Sequence, residues 1–590
     1  MKPETATSSP YRTLLLVHFE QLTGLSISAG AAPDLGVDDI VFRDGLGRLT
    51  IPGTSLTGAL VEAAARTGFV HQDATSVPTR RIAEQQLLHG GWITGKLAAG
   101  LPQREQLQDE DAVQSLWKVA AAHLDDRTTQ PLVQWRQGVG IRHSTGATAA
   151  THGALYDSEF IPAGTRWWTI MDLDTWHGGP GIEILALLAW HQLDHGCSVL
   201  GRNAARGMGR IKLLQQHSLC VRLPLSREAI VLWPDSSQDW TTHFQQVHSQ
   251  LMGWRRFTGV EFESLDQAMH KAAARAQAEG SGLKQTRPAW CFLQMEFELG
   301  AAPGPAPAAD PELGTFGWEG LHVGGHPALA LVGELDARGD THQETQEEQQ
   351  IEQDQPFVQM LPTSAANSAP HWRPYLPGSG LRGPLRHAAS RLQRQDTQVC
   401  DPLEVPFDED GTRRVPSVSR DPITQLFGLQ DIDSWLTIED GCLIPETEAR
   451  LSIETIDQIA QDEFTAGVYG SAKFDTDVLL SGRFRFRLQL AAKPRDDWQT
   501  NEDSAPANVL LEQFQVLRPT LRLAQFGYVP IGGSKSRGCG WAAWQVRTIE
   551  FLTADGIAQH HESIAPERAS EALSLAEELL ERYAIEGVGG

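Results

Sequence analysis

Apolar and polar positions alternate at two places far apart in the chain. Leu15, Val17 and Phe19 alternate with His18 and Glu20, and Leu293, Met295, Phe297 and Leu299 alternate with Gln294, Glu296 and Glu298. A period of two with one apolar face predicts a half-buried strand at the head of each of two long segments. A different period closes the chain. Ala572, Ala576, Leu579 and Tyr583 lie three or four apart, which predicts an amphipathic helix packed on its own domain. Residues 262–279 predict a helical part of a Trp-rich connector between the segments. The strongly apolar run at 184–190 is far too short to cross a bilayer. Residues 300–310 read as a Pro/Ala loop, and 340–354 as a Gln/Glu-rich mobile run.

Within these segments the chain repeats itself. Pro52-Gly53-Thr54-Ser55-Leu56-Thr57-Gly58 returns as Pro377-Gly378-Ser379-Gly380-Leu381-Arg382-Gly383, an offset of 325. Far downstream, the Gly-rich stretch 201–209 returns as 532–540, with Arg206 and Arg537 offset by 331. Two independent motifs at nearly one spacing mark a duplication. Copy one is taken as residues 11–225, the connector as 226–287, copy two as 288–550 and a helical tail as 551–590. With 590 residues the chain has room for two large domains or about four average ones.

Each motif has a chemistry. Pro-Gly followed by small hydroxyl residues reads as a loop entering a helix, with Thr54 and Ser55 capping it and Gly53 leaving backbone N–H groups uncovered. Such a helix start is an anion site. Ser379 holds the same place in copy two, where Arg382 and Arg386 add cations four residues apart on one face. Closely spaced glycines with Arg206 and Arg210, or with Lys535 and Arg537, make a turn that can approach a phosphate backbone.

Charge sharpens this. Lys plus Arg is 49 against 74 for Asp plus Glu, a net of −25, which argues against a free nucleic-acid binder. The distribution argues otherwise. Residues 133–156 carry Arg136, Arg142, His143 and His152 without an acid. Residues 201–212 carry Arg202, Arg206, Arg210 and Lys212, and 372–394 carry Arg373, Arg382, Arg386, Arg391 and Arg394, again without one. These are local tracks for a polyanion, and they coincide with the motifs. The six cysteines are scattered with no C-x-x-C pair, against a zinc ribbon or disulfide scaffold and in keeping with a reducing compartment. Residues 1–10 lack the apolar core of a signal peptide, so a soluble cytoplasmic protein without membrane attachment is expected. No Walker lysine or Rossmann fingerprint supports a nucleotide enzyme.

In this order the motifs resemble the RAMP superfamily of CRISPR-associated proteins, and within it the backbone subunits of type III effector complexes. Copy one offers an acidic loop at 36–43 with Asp38 and Asp39, the Pro-Gly helix motif, a thumb running from 141 to 164, and the Gly-rich loop. Copy two offers Asp354, its Pro-Gly motif, Asp421-Pro422 leading to Leu426-Phe427-Gly428, a thumb region, and its Gly-rich loop. Two modules in one chain are similar to the fused double subunit of III-D-like complexes. Copy one has no counterpart of the Asp421–Gly428 stretch, and the copy-two thumb at 453–470 is acidic.

The resemblance implies an α+β fold of two tandem modified ferredoxin-like (RRM-like) modules with hairpin thumbs, a partly helical connector and a C-terminal helix. It implies CRISPR guide RNA, target RNA and other type III effector subunits as partners. RNA contacts would come from Gly53, Thr54, Ser55, Arg136, Arg142, His143, Arg202, Arg206, Ser379, Arg382, Arg386, Lys535 and Arg537. It further implies cleavage of target RNA through the 2′-OH, with Asp38 and Asp354 as catalytic residues and ligands of Mg²⁺ or Mn²⁺, and Asp39 as a neighbour that could take the role. A catalytically inactive guide-RNA scaffold and a guide-precursor endonuclease of the same superfamily are the competing functions.

Overall fold

Leu15, Val17 and Phe19 do lie on a strand, but that strand is buried on both faces, from Thr13 to Phe19. The structure is a computed structural model. It describes residues 12–32, 37–71, 116–125, 133–139, 155–224, 243–257, 259–301, 358–361, 371–393, 421–428, 433–444, 452–461, 468–495, 505–533, 535 and 538–586.

The first half runs β1 (Arg12–Gln21), β2 (Ser28–Ala32), β3 (Val37–Val41), β4 (Thr50–Ile51), α1 (Gly53–Arg66), β5 (Phe69–His71), β6 (Trp117–Val119) and β7 (Ala122–Leu124). It continues through β8 (Gln134–Val139), β9 (Leu155–Phe160), β10 (Arg166–Leu173), α2 (Thr175–Asp194), β11 (Ile211–Leu213) and β12 (Leu219–Leu223). β1 lies between β10 and β12, all antiparallel, and β6 and β7 continue the sheet beyond β10. Taken as β1-α1-β6-β10-α2-β12, with sheet order β12-β1-β10-β6, this is the connectivity of a ferredoxin-like unit. α1 and α2 cover the face that carries Leu15, Val17 and Phe19. α2 breaks at Gly179 (φ 62°), and Pro180 opens the long apolar segment that follows. β8 and β9 form a hairpin, which joins β3 and β2 in a separate small sheet.

The second half repeats the plan. Its elements are β15 (Cys291–Ala301), β16 (Val358–Leu361), β17 (His371–Leu376), α5 (Gly378–Gln393), α6 (Pro422–Phe427), β18 (Leu436–Ile438), β19 (Gly441–Leu443), β20 (Ser452–Gln461), β21 (Val468–Ser481), β22 (Phe484–Ala492), α7 (Pro506–Gln525), β23 (Ala543–Thr553) and β24 (Gln559–Ser563). β15 lies between β22 and β23, and β18 and β19 pair with β22. The order β23-β15-β22-β18 matches that of the first half. Leu56 and Leu60 of α1 and their counterparts Leu381 and Leu385 of α5 are all buried. β20 and β21 form a long hairpin of their own at the copy-two thumb.

The connector belongs to the first half in packing. α3 (His243–Gly253) lays Phe244, Val247 and Leu251 on Leu14, Leu16, Trp168 and Ile170, and so seals the second face of the first sheet. That is why β1 is buried on both sides where alternation predicts one. β13 (Glu261–Ser264) extends the same sheet beside β12, α4 (Leu265–Gln277) packs on α2, and β14 (Leu283–Gln285) pairs with β5. The predicted helix at 262–279 is therefore a short strand followed by a helix, with Ser264 capping the latter by accepting from the Gln267 amide. At the other end, α8 (Ala572–Glu586) packs on α7, and Tyr583 stacks on Phe551 with ring centroids 4.0 Å apart. Among the described residues no helix is long and apolar enough to cross a membrane.

Candidate nucleic-acid interface

The Pro-Gly motif forms a helix start in both halves, but for a reason other than capping. Pro52 is the residue before α1, and no side chain caps the helix. Thr54 is exposed, Ser55 is half-buried, and the nearby hydroxyl bond is Thr57 Oγ1 donating to the Gly53 carbonyl at 2.7 Å. The expectation that Thr54 and Ser55 cap α1 is thus corrected. Glycine is required because α1 begins against the β6–β7 turn: a Cβ on Gly53 would stand 2.4 Å from the Val119 carbonyl oxygen. Gly378 is equally tight, 2.4 Å from the Ile438 carbonyl oxygen, and Ser379 beside it is half-buried.

In the second half this helix start already has its anion. Asp440, in the turn between β18 and β19, accepts from the Gly378 amide at 2.7 Å. The same carboxylate takes Arg136 from β8 of the first half, with Nη2 to Oδ2 at 2.7 Å. Arg136 is buried, and its guanidinium also contacts the Tyr375 hydroxyl and lies 4.8 Å from the centre of the Phe160 ring. Burial alone would ease its proton off, but Asp440 and Tyr375 outweigh that and hold Arg136 above its ordinary pKa. Arg136 therefore joins the halves and does not present a free charge to RNA.

The Gly-rich loop of the first half docks at the same place. Gly207 (φ 82°) lies so close that a Cβ would meet the Glu439 Cα and the Ile438 oxygen at 2.3 Å. Gly378 in turn faces the Arg206 carbonyl oxygen, 2.5 Å from a hypothetical Cβ. The close approach expected toward a phosphate backbone is made here toward the second half's backbone. Arg210 reaches Glu439 at 2.8 Å, and Arg487 bonds the other oxygen of that carboxylate through Nε at 2.8 Å. Burial pushes Glu439 up, yet Arg210 and Arg487 together bring it below the usual carboxylate range. Arg487 also donates to the His195 carbonyl at 3.0 Å, and Gln192 to the Ala554 carbonyl at 3.0 Å. A shared apolar cluster of Cys197 with Ala289, Phe292, Leu552 and Ala554 completes the joint.

A second convergence is open to solvent at its arginine. Arg202, on the Gly-rich loop and 67% exposed, lies 3.4 Å from Asp39 of β3. Asp39 forms a bridge with Ser158 of β9, so the acidic strand, the root of the β8–β9 hairpin and the Gly-rich loop meet at one point. Asp39 Oδ1 is buried without a hydrogen-bond partner. Asp38 lies on β3 beside it, with its side chain outside the described residues. Arg142, His143, Asp354 and Arg537 also lie outside the described residues. Among those described, no group of three or more His, Cys, Asp or Glu is placed to hold a metal ion.

The remaining cations have local tasks. Arg382 donates to the Phe427 carbonyl and, at 2.9 Å, to the Ser434 hydroxyl; Arg386 donates to the Gly428 carbonyl at 3.2 Å. Both hold the end of α6, whose start is capped by Asp421 accepting from the Ile423 and Thr424 amides. Lys535 is half-buried, and burial lowers its pKa. Arg206 is half-buried on the turn that meets Gly378. Sequence reasoning missed Glu439 and Asp440 as receivers of copy one's arginines. The available signal was that an acidic pair stands in copy two where copy one has Ala120 and Ala121.

The RAMP superfamily model matches residues 18–212 and 370–543, one region in each half. The chain belongs to the RAMP superfamily. Membership suggests a CRISPR-associated, RNA-binding role. No curated protein matches the chain.

Proposed function

We propose that the chain is a backbone subunit of a type III effector complex, holding CRISPR guide RNA across both modules and cutting the paired target RNA. The observation that carries this reading is the meeting of Asp39, Ser158 and Arg202, which gathers the acidic strand, the thumb root and the Gly-rich loop at one point with Arg202 open to solvent. Arg202 is the phosphate contact there, with the exposed start of α1 at Thr54 as a further anion contact. Asp38 is the catalytic carboxylate and Asp39 positions Arg202. In-line attack of the target's 2′-OH on the adjacent phosphorus breaks the P–O5′ bond and leaves a 2′,3′-cyclic phosphate and a 5′-OH. Asp38 orients that hydroxyl. The protein donor for Mg²⁺ or Mn²⁺ is the single carboxylate of Asp38, so the ion would keep waters and lean on RNA phosphates. When bound it would stabilise charge on the phosphate. Asp354 has the corresponding role in the second module.

A guide scaffold without cutting is the second reading. One experiment separates the two. The chain is purified with its guide RNA and its partner subunits, and labelled target RNA is added with Mg²⁺. Asp38→Ala and Asp354→Ala are each expected to remove cuts at their own position while assembly and guide content stay unchanged. Cuts that persist at all positions in the double variant, or no cutting by the unaltered complex, refute the catalytic reading.

A further inference from the structure

Three consecutive residues fasten three elements of the exposed site. Leu25 exchanges two backbone hydrogen bonds with Ile161, at 2.9 and 2.8 Å, just past the end of β9. The Ser26 carbonyl accepts from the Arg202 amide at 2.8 Å, and a Cβ on Gly201 would stand 2.4 Å from the same oxygen. The Ile27 carbonyl accepts from the Phe42 amide at 2.8 Å, just past the end of β3. The thumb root, the Gly-rich loop and the acidic strand are thus each tied at one end to the short segment ahead of β2.

The ties differ in what else supports them. β9 is held twice more. Phe160 is buried, with the Arg136 guanidinium over its ring. Ser158 pairs with Arg136 across the hairpin, and Arg136 is fixed on Asp440 of the second half. β3 is paired less regularly. Its register with β2 slips between Ser28 and Gly30 and again between Gly30 and Ala32. Its register with β9 consists of one residue pair, Asp39 with Ser158. A slip by one residue turns every side chain of a strand to the opposite face, so a weakly registered strand is a poor mount for a reactive carboxylate.

Glu159 supplies the missing constraint. Its Oε2 accepts from the Val41 amide at 3.0 Å, a bond from the well-anchored hairpin to the backbone of the acidic strand. Val41 is buried and Glu159 half-buried, so an amide deprived of this oxygen would be costly to leave unbonded. The bonded amide lies two residues from Asp39 and three from Asp38. Together with the Asp39–Ser158 pair it fixes β3 at two points along its length, and so fixes its register.

We propose that Glu159 is a positioning residue for RNA cutting in the first module. It clamps the acidic strand to the root of the hairpin and so sets where Asp38 meets the target. It acts through the Val41 amide and not on the RNA itself. The inference rests on the reading of Asp38 as the catalytic carboxylate.

The test uses the full chain assembled with guide RNA and partner subunits, labelled target RNA and Mg²⁺. Glu159→Gln keeps a side-chain oxygen that can accept the amide, and Glu159→Ala removes it. Glu159→Ala is expected to slow single-turnover cutting at the first module's position about 10–100-fold, with target affinity and the second module's cut unchanged. Glu159→Gln should cut within about twofold of the unaltered complex, because the bond survives without the charge. Amide hydrogen exchange of the peptide 37–42 should rise about tenfold or more in Glu159→Ala and stay unchanged in Glu159→Gln. A glutamine variant as slow as the alanine variant overturns the proposal, since the charge and not the bond would then be needed. Normal cutting by Glu159→Ala, or an equal loss at both positions, overturns it too. Failure of the parent reading looks different: the unaltered complex does not cut, or Asp38→Ala leaves the first cut in place, and the role of Glu159 in cutting falls with it whatever the exchange shows.

Discussion

Arg136 of the first module closes a buried ion pair on Asp440 of the second, and the same carboxylate accepts the amide of Gly378 at the head of α5. One side chain thus answers two needs: it neutralises a cation removed from water and satisfies a helix start that would otherwise be left open.

Removing half of that pair is costly. Arg136→Ala leaves Asp440 buried and unbalanced, so a loss of about 3–5 kcal/mol is expected in denaturant unfolding. Arg136→Met combined with Asp440→Asn recovers a large part of it. If Arg136 served RNA instead, Arg136→Ala would weaken guide binding and leave unfolding unchanged.

Two glycine substitutions separate local strain from contact between modules. Gly207→Ala and Gly280→Ala both force alanine into positive φ, 82° and 83°. Around Gly280 nothing lies within 4 Å, whereas at Gly207 the new methyl meets Glu439. Gly280→Ala should cost about 1–2 kcal/mol from backbone strain. Gly207→Ala should cost clearly more and speed proteolysis between the halves, read by timed digestion.

Acid should weaken the fold from near neutrality downward. Burial, with help from His195 and His270, pushes the His191 pKa down to about 3; burial pushes His123 down to about 4. As pH falls through the ordinary histidine value, the unfolded chain takes up protons that the folded chain refuses. Their contribution is therefore complete above about 6.5 and drains away below it. Glu439 and Glu183, both held below the usual carboxylate range, add a further loss below about 4.5. Unfolding midpoints measured from pH 7.5 to 4 should fall steadily, and less steeply in His191→Gln.

Arg202→Ala tests the exposed site. An ion pair this open contributes about 0–1 kcal/mol, so the melting temperature should barely move. Target cutting at the first module's position should drop about 10–100-fold if Arg202 places the phosphate. A melting temperature that falls while cutting persists would make Arg202 a structural residue.

Much of the architecture was legible in the sequence, while several residue roles were not. Periodicity found β1, β15 and α8, and the repeated Pro-Gly and Gly-rich motifs exposed the duplication, because each is a local constraint on backbone or burial. The second burial of β1 was invisible, since it comes from α3 more than 200 residues away. The same holds for the arginines. A stretch without acids around Arg136 or Arg210 reads as a track for a polyanion until the fold delivers Asp440 and Glu439 from the other half. Arg382 and Arg386 read as free cations until α6 supplies the carbonyls of Phe427 and Gly428. Asp39 and Arg202 were each visible, but their meeting was not.

The joint at Glu439 and Asp440 has a metrical consequence. Any strand laid over both halves would meet its two grips at a separation written into protein packing, because the join is clamped by interior charges instead of hanging on a tether. Duplication inside one polypeptide thereby sets a fixed distance between the two modules.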